Sequence, residues 1–314
     1  MRIVVHGQQA FGKAVLERLL TQGEDVVAVF CAPDAPGRPR DPFALLAEEK
    51  GLPLHQPKSF KTPEAFALME AARADVCMMA YVTLLVPQKV LDLPALGTFQ
   101  YHPSLLPLHR GPSSINWPII KGETETGLSI FWPDEGLDEG PILLQKVVEI
   151  GPDDTLGTIY FGKLFPMGVD AMIEALEMVR AGTAPKIPQD HSKATYESWC
   201  RKMEARIDWS RSEADVHNLI RGCDPQPGAW TLHAGSEVQL FDSRRGPGAR
   251  PGTAPGAILD VSADGIEIAA GDGSVIVKRV RPQGGAKVAA SEWAGEAGLH
   301  RGRGSETSPR AFPR

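Results

Sequence analysis

The first 182 residues alternate short, almost wholly apolar runs with stretches of helical periodicity, and that alternation limits the chain to few architectures. Apolar runs at 3–5, 26–31, 76–81, 98–101, 128–132 and 142–150 read as strands buried on both faces, with a short strand at 52–55. Phe11, Val15 and Leu19, joined by Leu16 and Leu20, mark one face of a helix that stops at Gly23. Asp41-Pro42 and Thr62-Pro63-Glu64 read as N-caps with proline at the first helical position, opening helices near 42–50 and 63–73. Asp153-Asp154-Thr155 starts a long helix running to about Ala181, with Gly182 after it. Strands alternating with helices predict an α/β fold with a twisted, mostly parallel sheet covered on both faces.

Residues 183–205, polar and proline-containing, are expected to link this domain (1–182) to a second one at 206–300. The second opens with a helix at 213–221, capped by Ser210 or Ser212. Short strands follow near 230–233, 238–241, 256–261, 265–270 and 274–281, which predict a small β-barrel with a flexible loop at 244–255. The Arg-, Ser- and Gly-rich stretch 301–314 is expected to be disordered. No run approaches the ~20 apolar residues of a membrane span. The N-terminus enters a strand directly, without a signal peptide's apolar core, so a cytoplasmic protein is expected. Cys31, Cys77, Cys200 and Cys223 lack metal-site spacing and suggest neither a disulfide framework nor a metal centre. A net charge of −6 neither points to nucleic acid nor excludes it, because a local basic patch can work on an acidic protein.

Three places invite chemistry, and each has a plain structural reading beside the functional one. Gly7-Gln8-Gln9-Ala10-Phe11-Gly12 is either a tight strand-to-helix turn or a weak nucleotide fingerprint. It is not GxGxxG, and no acid closes strand two at Phe30-Cys31, so the plain turn is the better reading. Gln100-Tyr101-His102-Pro103-Ser104-Leu105-Leu106-Pro107 carries a histidine to the C-terminal end of a strand, where open sheets bind ligands. His102 is then either a structural residue or a proton carrier held by the rigid loop beside it. Asp134-Glu135-Gly136-Leu137-Asp138-Glu139-Gly140 is either a solvated acidic hairpin or a turn that points Asp138 inward while Glu135 and Glu139 face water. A carboxylate beside a histidine favours its cationic form and fixes its orientation.

These segments carry a resemblance. Tyr101-His102-Pro103-Ser104-Leu105-Leu106-Pro107-x-His109-Arg110-Gly111, then Ile115-Asn116-Trp117, Ser129-Ile130-Phe131-Trp132, Gly136-Leu137-Asp138-x-Gly140 and Leu143-Leu144-Gln145, resembles the folate-dependent formyltransferases. Downstream, Ile207-Asp208-Trp209-Ser210, His217-Asn218-x-Ile220-Arg221 and Pro227-Gly228-Ala229-Trp230 are similar to the C-terminal domain of the same family. The resemblance implies a Rossmann-like formyltransferase domain followed by an OB-like barrel, with 10-formyltetrahydrofolate as formyl donor and no metal. It implies catalytic roles for His102 and Asp138. The family's asparagine position is Gln100 here, a departure that lengthens the amide's stem by one methylene. By the same resemblance Tyr81, Leu85 and Val86 line the folate pocket, together with the backbone at Asp134, Glu135, Gly136 and Leu137.

Formyl transfer needs a donor facing the developing oxyanion, a proton shuttle and a dry pocket. The resemblance gives His102 to polarising the formyl oxygen, Asp138 to orienting His102 and removing the acceptor's proton, and Gln100 to a second amide donor. Water or a carrier thiol is the favoured acceptor. Initiator methionyl-tRNA is the alternative, but the loop at 33–40 keeps only Arg38 and Arg40, where tRNA-acting members carry a basic insertion. A sugar amine comes third, from the run Gly122-Glu123-Thr124-Glu125-Thr126-Gly127. Two readings from other classes, a nucleotide-dependent oxidoreductase and a non-catalytic folate- or RNA-binding module, are opposed by the missing fingerprint and by the paired His102 and Asp138.

Overall fold

The computed structural model describes residues 1–248 and 252–299. The chain forms two compact units, contributing to them by turns. The first comprises Met1–Gly111, Gly127–Val148 and Lys163–Tyr196; the second comprises Pro112–Thr126, Glu149–Gly162 and the chain from Glu197 on.

The first unit is built on β1 (Arg2–Gly7), β2 (Asp25–Phe30), β3 (Leu54–His55), β4 (Val76–Ala80), β5 (Thr98–His102), β6 (Glu125–Phe131) and β7 (Ile142–Glu149), in the order β3-β2-β1-β4-β5-β6-β7. Strands β1 to β5 pair in parallel, and β6 runs antiparallel to β5. The mixed, mostly parallel sheet is the one the alternation predicts. Helix α1 (Gln9–Thr21) buries Phe11, Val15, Leu16 and Leu19, the stripe read from the sequence. Helices α2 (Pro42–Glu49) and α3 (Pro63–Ala71) start where their caps indicate: Asp41 accepts from the Phe43 N–H and Thr62 from the Ala65 N–H.

The turn between β1 and α1 is structural. A methyl on Gly7 would lie 3.0 Å from the Ala80 carbonyl oxygen, and one on Gly12 would lie 3.1 Å from Gly7, so both glycines serve close helix-to-strand packing. The Asp41 carboxylate accepts the Gln9 N–H at 2.8 and 2.9 Å, putting an internal anion at the helix start.

The helix expected from about 155 to 181 is three pieces: α6 (Leu156–Ile159), a π-helical turn (Tyr160–Leu164) and α7 (Phe165–Arg180); α4 (Gln88–Leu91) and α5 (Asn116–Ile120) precede them. Pro166 carries no amide hydrogen, and the hydrogen-bond ladder widens just ahead of it. On α7, Gly168 leaves room for Tyr101 and Phe11, whose rings stack at 4.3 Å. That contact buries one face of β5 and leaves Gln100 and His102 on the other.

The second unit holds α8 (Glu213–Gly222), capped by Ser212, and β8 (Ala229–His233), β9 (Ser236–Arg245), β10 (Ile258–Ser262), β11 (Gly265–Ala269), β12 (Ser274–Pro282) and β13 (Val288–Ala289), followed by α9 (Ala290–Glu296). The sheet order is β10-β11-β12-β9-β8, with β13 on β12 and antiparallel pairing throughout. The antiparallel β-rich character is as expected. Among the described residues no ladder joins β10 to β8. Its core centres on Trp209, wholly buried, whose indole N–H reaches the Thr231 hydroxyl at 3.1 Å.

The stretch 183–205, expected to link the two domains, divides between the two units. Its first part is tied into the first unit by paired backbone bonds between Ile187 and Ile142, and Glu197 onward belongs to the second. Of the loop expected at 244–255, residues 249–251 lie outside the described residues, as does the tail at 301–314. No helix among the described residues is long and apolar enough to cross a membrane.

Candidate active site

Strand β5 delivers Gln100 and His102 to one face two residues apart, opposite Phe131 and Ser129 of β6. The loop after β5 is stitched down by Ser129, a wholly buried residue. Its hydroxyl donates to the Ser104 carbonyl at 2.7 Å and accepts the Leu106 N–H at 3.1 Å and the Gln145 amide at 2.9 Å. Gln145 also donates to the Leu106 carbonyl at 2.7 Å.

The acidic segment folds back toward this loop. The Asp134 carboxylate accepts the Gly136 N–H, making a tight turn, and a methyl on Gly140 would overlap the Trp132 carbonyl. Asp138 is buried while Glu135 and Glu139 are exposed, so the inward reading of the Gly-x-x-x-Gly spacing is the one realised. Asp138 has φ 57°, in the left-handed region, which costs a non-glycine residue about 1–2 kcal/mol. Tyr81 (φ 63°) and His109 (φ 54°) share that conformation and border the same region, the clustering of imposed backbone geometry found at functional sites.

His102 and Asp138 meet here. The His102 Nε2 lies 2.9 Å from the His109 carbonyl, which can only accept, so Nε2 carries the hydrogen. Nδ1 then faces the Asp138 Oδ2 at 3.6 Å, and the same oxygen accepts the Gly111 N–H at 2.9 Å. A neutral ring presents a bare lone pair to a carboxylate in this arrangement, and a proton delivered between the two relieves the mismatch.

A cavity of about 220 Å³ opens over it, lined by the segment after β4, by Gln100 and Phe131, and by the acidic turn. Of the expected residues, Leu85, Val86, Asp134, Gly136, Leu137, Asp138 and Gln100 line it; Tyr81, Glu135 and His102 do not. Leu85 and Leu137 are largely exposed at its rim, and Tyr81 is exposed rather than in the core. Four residues without an expected role support the pair. His109 supplies the carbonyl for His102, and the Thr195 hydroxyl accepts the His109 N–H at 2.8 Å. Arg110 and Gln189 bond to each other behind Asp138. His109 and Arg110 sit inside a recognisable motif, whereas nothing in the polar 183–205 stretch marks Gln189 or Thr195. Among the described residues no group of three or more His, Cys, Asp or Glu gathers as a metal site.

Comparison with known proteins shows the family of the chain. The sequence profile of the family described as "Formyl transferase" matches residues 1–176, and that of "Formyl transferase, C-terminal domain" matches residues 200–297. The chain is 39% identical over 306 residues to the cytosolic 10-formyltetrahydrofolate dehydrogenase of Xenopus laevis, covering 93% of this chain and 34% of that protein. It thus spans about a third of the length of that relative. It is 37% identical over 289 residues to the methionyl-tRNA formyltransferase of Desulfotalea psychrophila, covering 90% of this chain and 89% of that one. Its fold is similar to that of HypX from Aquifex aeolicus, solved in complex with tetrahydrofolic acid, with a TM-score of 0.68 at 20% identity, covering 100% of this chain and 51% of that chain. By both of its domains, the chain belongs to the formyl transferase family.

Proposed function

We propose that this chain is a cytoplasmic enzyme that removes the formyl group from 10-formyltetrahydrofolate and passes it to water or a carrier thiol, with His102, Asp138 and Gln100 as its catalytic groups. The observation that carries the reading is the buried His102–Asp138 contact, whose Nδ1 and Oδ2 face each other at 3.6 Å with Asp138 at the wall of a cavity. The apolar wall of Leu85, Val86 and Leu137 suits the flat end of the folate. At 220 Å³ the cavity takes that ring rather than the whole donor.

Chemically, the acceptor's oxygen or sulfur bonds to the formyl carbon while its proton passes by way of Asp138, which lines the cavity, to the facing His102 Nδ1, with Asp138 stabilising the cation. The Gln100 amide, which lines the cavity, donates to the carbonyl oxygen as charge develops there. His102 then returns the proton to N10 as the C–N bond breaks, leaving tetrahydrofolate and formate, or a formyl thioester.

The loop at 33–40 supports this choice of acceptor. Arg40 is neutralised by Asp34 at 3.0 Å and Glu48 at 2.6 Å, so the loop offers tRNA phosphates only Arg38. The second reading, initiator methionyl-tRNA as acceptor, is favoured by the methionyl-tRNA formyltransferase relative, which matches over nearly its whole length. Release of tetrahydrofolate is measured with water, a pantetheine thiol, initiator methionyl-tRNA and a nucleotide-linked amino sugar as acceptors. Turnover with the thiol or with water alone is expected. Turnover only with charged tRNA overturns the acceptor, and full activity of His102→Ala overturns the mechanism.

A further inference from the structure

Asp138 holds a left-handed backbone conformation, which aspartate reaches more readily than most side chains but still at a cost, and the bonds around it hold it there. One restraint is the Gly111 N–H from the loop after β5, and a second is the His102 ring at the end of β5, both on the carboxylate. A third comes from Gln189, some fifty residues away, in a stretch that no motif covers. The Gln189 Nε2 donates to the Asp138 carbonyl at 2.9 Å and to the Gly140 carbonyl at 2.7 Å, tying down the chain on the C-terminal side of the left-handed residue. Its Oε1 accepts from the Arg110 guanidinium at 2.8 Å. Carbonyls only accept and guanidinium only donates, so a single orientation of the amide satisfies all three partners. Both side chains are buried.

We propose that Gln189 is a positioning residue for the His102–Asp138 pair, acting with Arg110 to fix the distance across which the proton moves. Arg110 stands between His109, whose carbonyl holds the His102 Nε2–H, and Gly111, whose N–H holds the Asp138 Oδ2. Following the bonds from Asp138 O through Gln189, Arg110 and Gly111 returns to the Asp138 carboxylate. This closed ring of hydrogen bonds joins the two loops that carry the pair. Glu139 adds an outer contact to Arg110 at 3.3 Å from a half-exposed side chain, and His191 Nδ1 lies 3.2 Å from the same guanidinium. Both of these side chains reach the arginine and steady it, whereas the Asp138 carboxylate is met by Gly111 and His102. Loosening the ring lets Oδ2 drift from Nδ1, and displacements near 1 Å at such a site cost on the order of 10² in rate.

The inference rests on the reading of Asp138 as a proton-handling group, and the experiment separates the two. Gln189→Glu keeps the size and the acceptor for Arg110 but replaces the donors to both carbonyls with a second oxygen. It is measured beside Asp138→Asn and the double variant, with 10-formyltetrahydrofolate and the acceptor that the wild type uses. Gln189→Glu is expected to fold as the wild type does, to lower kcat by roughly 10- to 100-fold with an unchanged KM for the donor, and to shift the acid limb of the kcat profile. In the Asp138→Asn background it is expected to have no further effect. Wild-type kcat in Gln189→Glu beside an inactive Asp138→Asn overturns the inference alone, as does an undiminished effect in the double variant. Full turnover by Asp138→Asn overturns the reading beneath it. Should the glutamate variant not fold, Gln189→Asn, with the right donors on a stem one methylene shorter, undergoes the same comparison.

Discussion

Replacing Ser129 by alanine tests how the loop after β5 is held. The serine hydroxyl is a wholly buried hub with three bonds, to the Ser104 carbonyl, the Leu106 N–H and the Gln145 amide. Alanine fits the space, but it leaves the Leu106 N–H and the Ser104 carbonyl without their partner, while Gln145 keeps its bond to the Leu106 carbonyl. A buried polar group left unpaired costs about 1–3 kcal/mol, so two of them predict a loss of roughly 2–6 kcal/mol. That is a large part of the ~5–15 kcal/mol that holds an ordinary domain together. The effect should also be local, because this loop leads into His109, the carbonyl that orients His102. Urea unfolding gives the global loss, hydrogen exchange at the Leu106 amide gives the local one, and kcat is expected to fall on the order of 10-fold or more as His102 loosens. A shift below about 0.5 kcal/mol, the size of an ordinary surface substitution, with an unaltered kcat would refute the reasoning.

Gly140→Ala places a methyl on the Trp132 carbonyl oxygen, where backbone meets backbone and neither can yield cheaply; loss of turnover with a clear drop in Tm is expected, and an unchanged Tm contradicts the geometry. Burial drives the His6 pKa down from 6.5 to about 3, so the unfolded chain binds a proton in that window that the folded chain refuses. Stability is therefore complete above pH 6.5 and falls as the pH drops toward 3, by about 2 kcal/mol between pH 7 and 5 from this residue, and His6→Leu should flatten that part of the urea-midpoint profile. Burial also pushes the Cys31 and Cys77 thiols up to about 12, so neither should be alkylated in the folded protein at pH 8; rapid modification seen by mass spectrometry would contradict their placement.

What the sequence made legible follows from the range of the forces involved. Asp41 and Thr62 act within two or three residues, and their caps are read correctly from spacing alone. The inward turn of Asp138 is likewise local, written in the glycines at 136 and 140. The break ahead of Pro166 was readable in principle, since a proline cannot continue the ladder, but the helical periodicity on both sides masked it. Helix α5 is five residues long and contains a proline, too short to show a periodic face. Gln189 and Thr195 escape for a different reason. Their partners lie at Asp138, Arg110 and His109, and no local pattern records a contact across fifty or more residues.

The carboxylate of Asp41 on the Gln9 amide has a consequence for what the protein ignores. A tethered anion competes with every diffusing one, at an effective concentration of about millimolar or more for a short connection. Metabolite phosphates must therefore displace a resident that never leaves, and the helix start that nucleotide-binding folds keep open is self-inhibited here. A single aspartate side chain thus sits where the phosphates of a dinucleotide would have to dock.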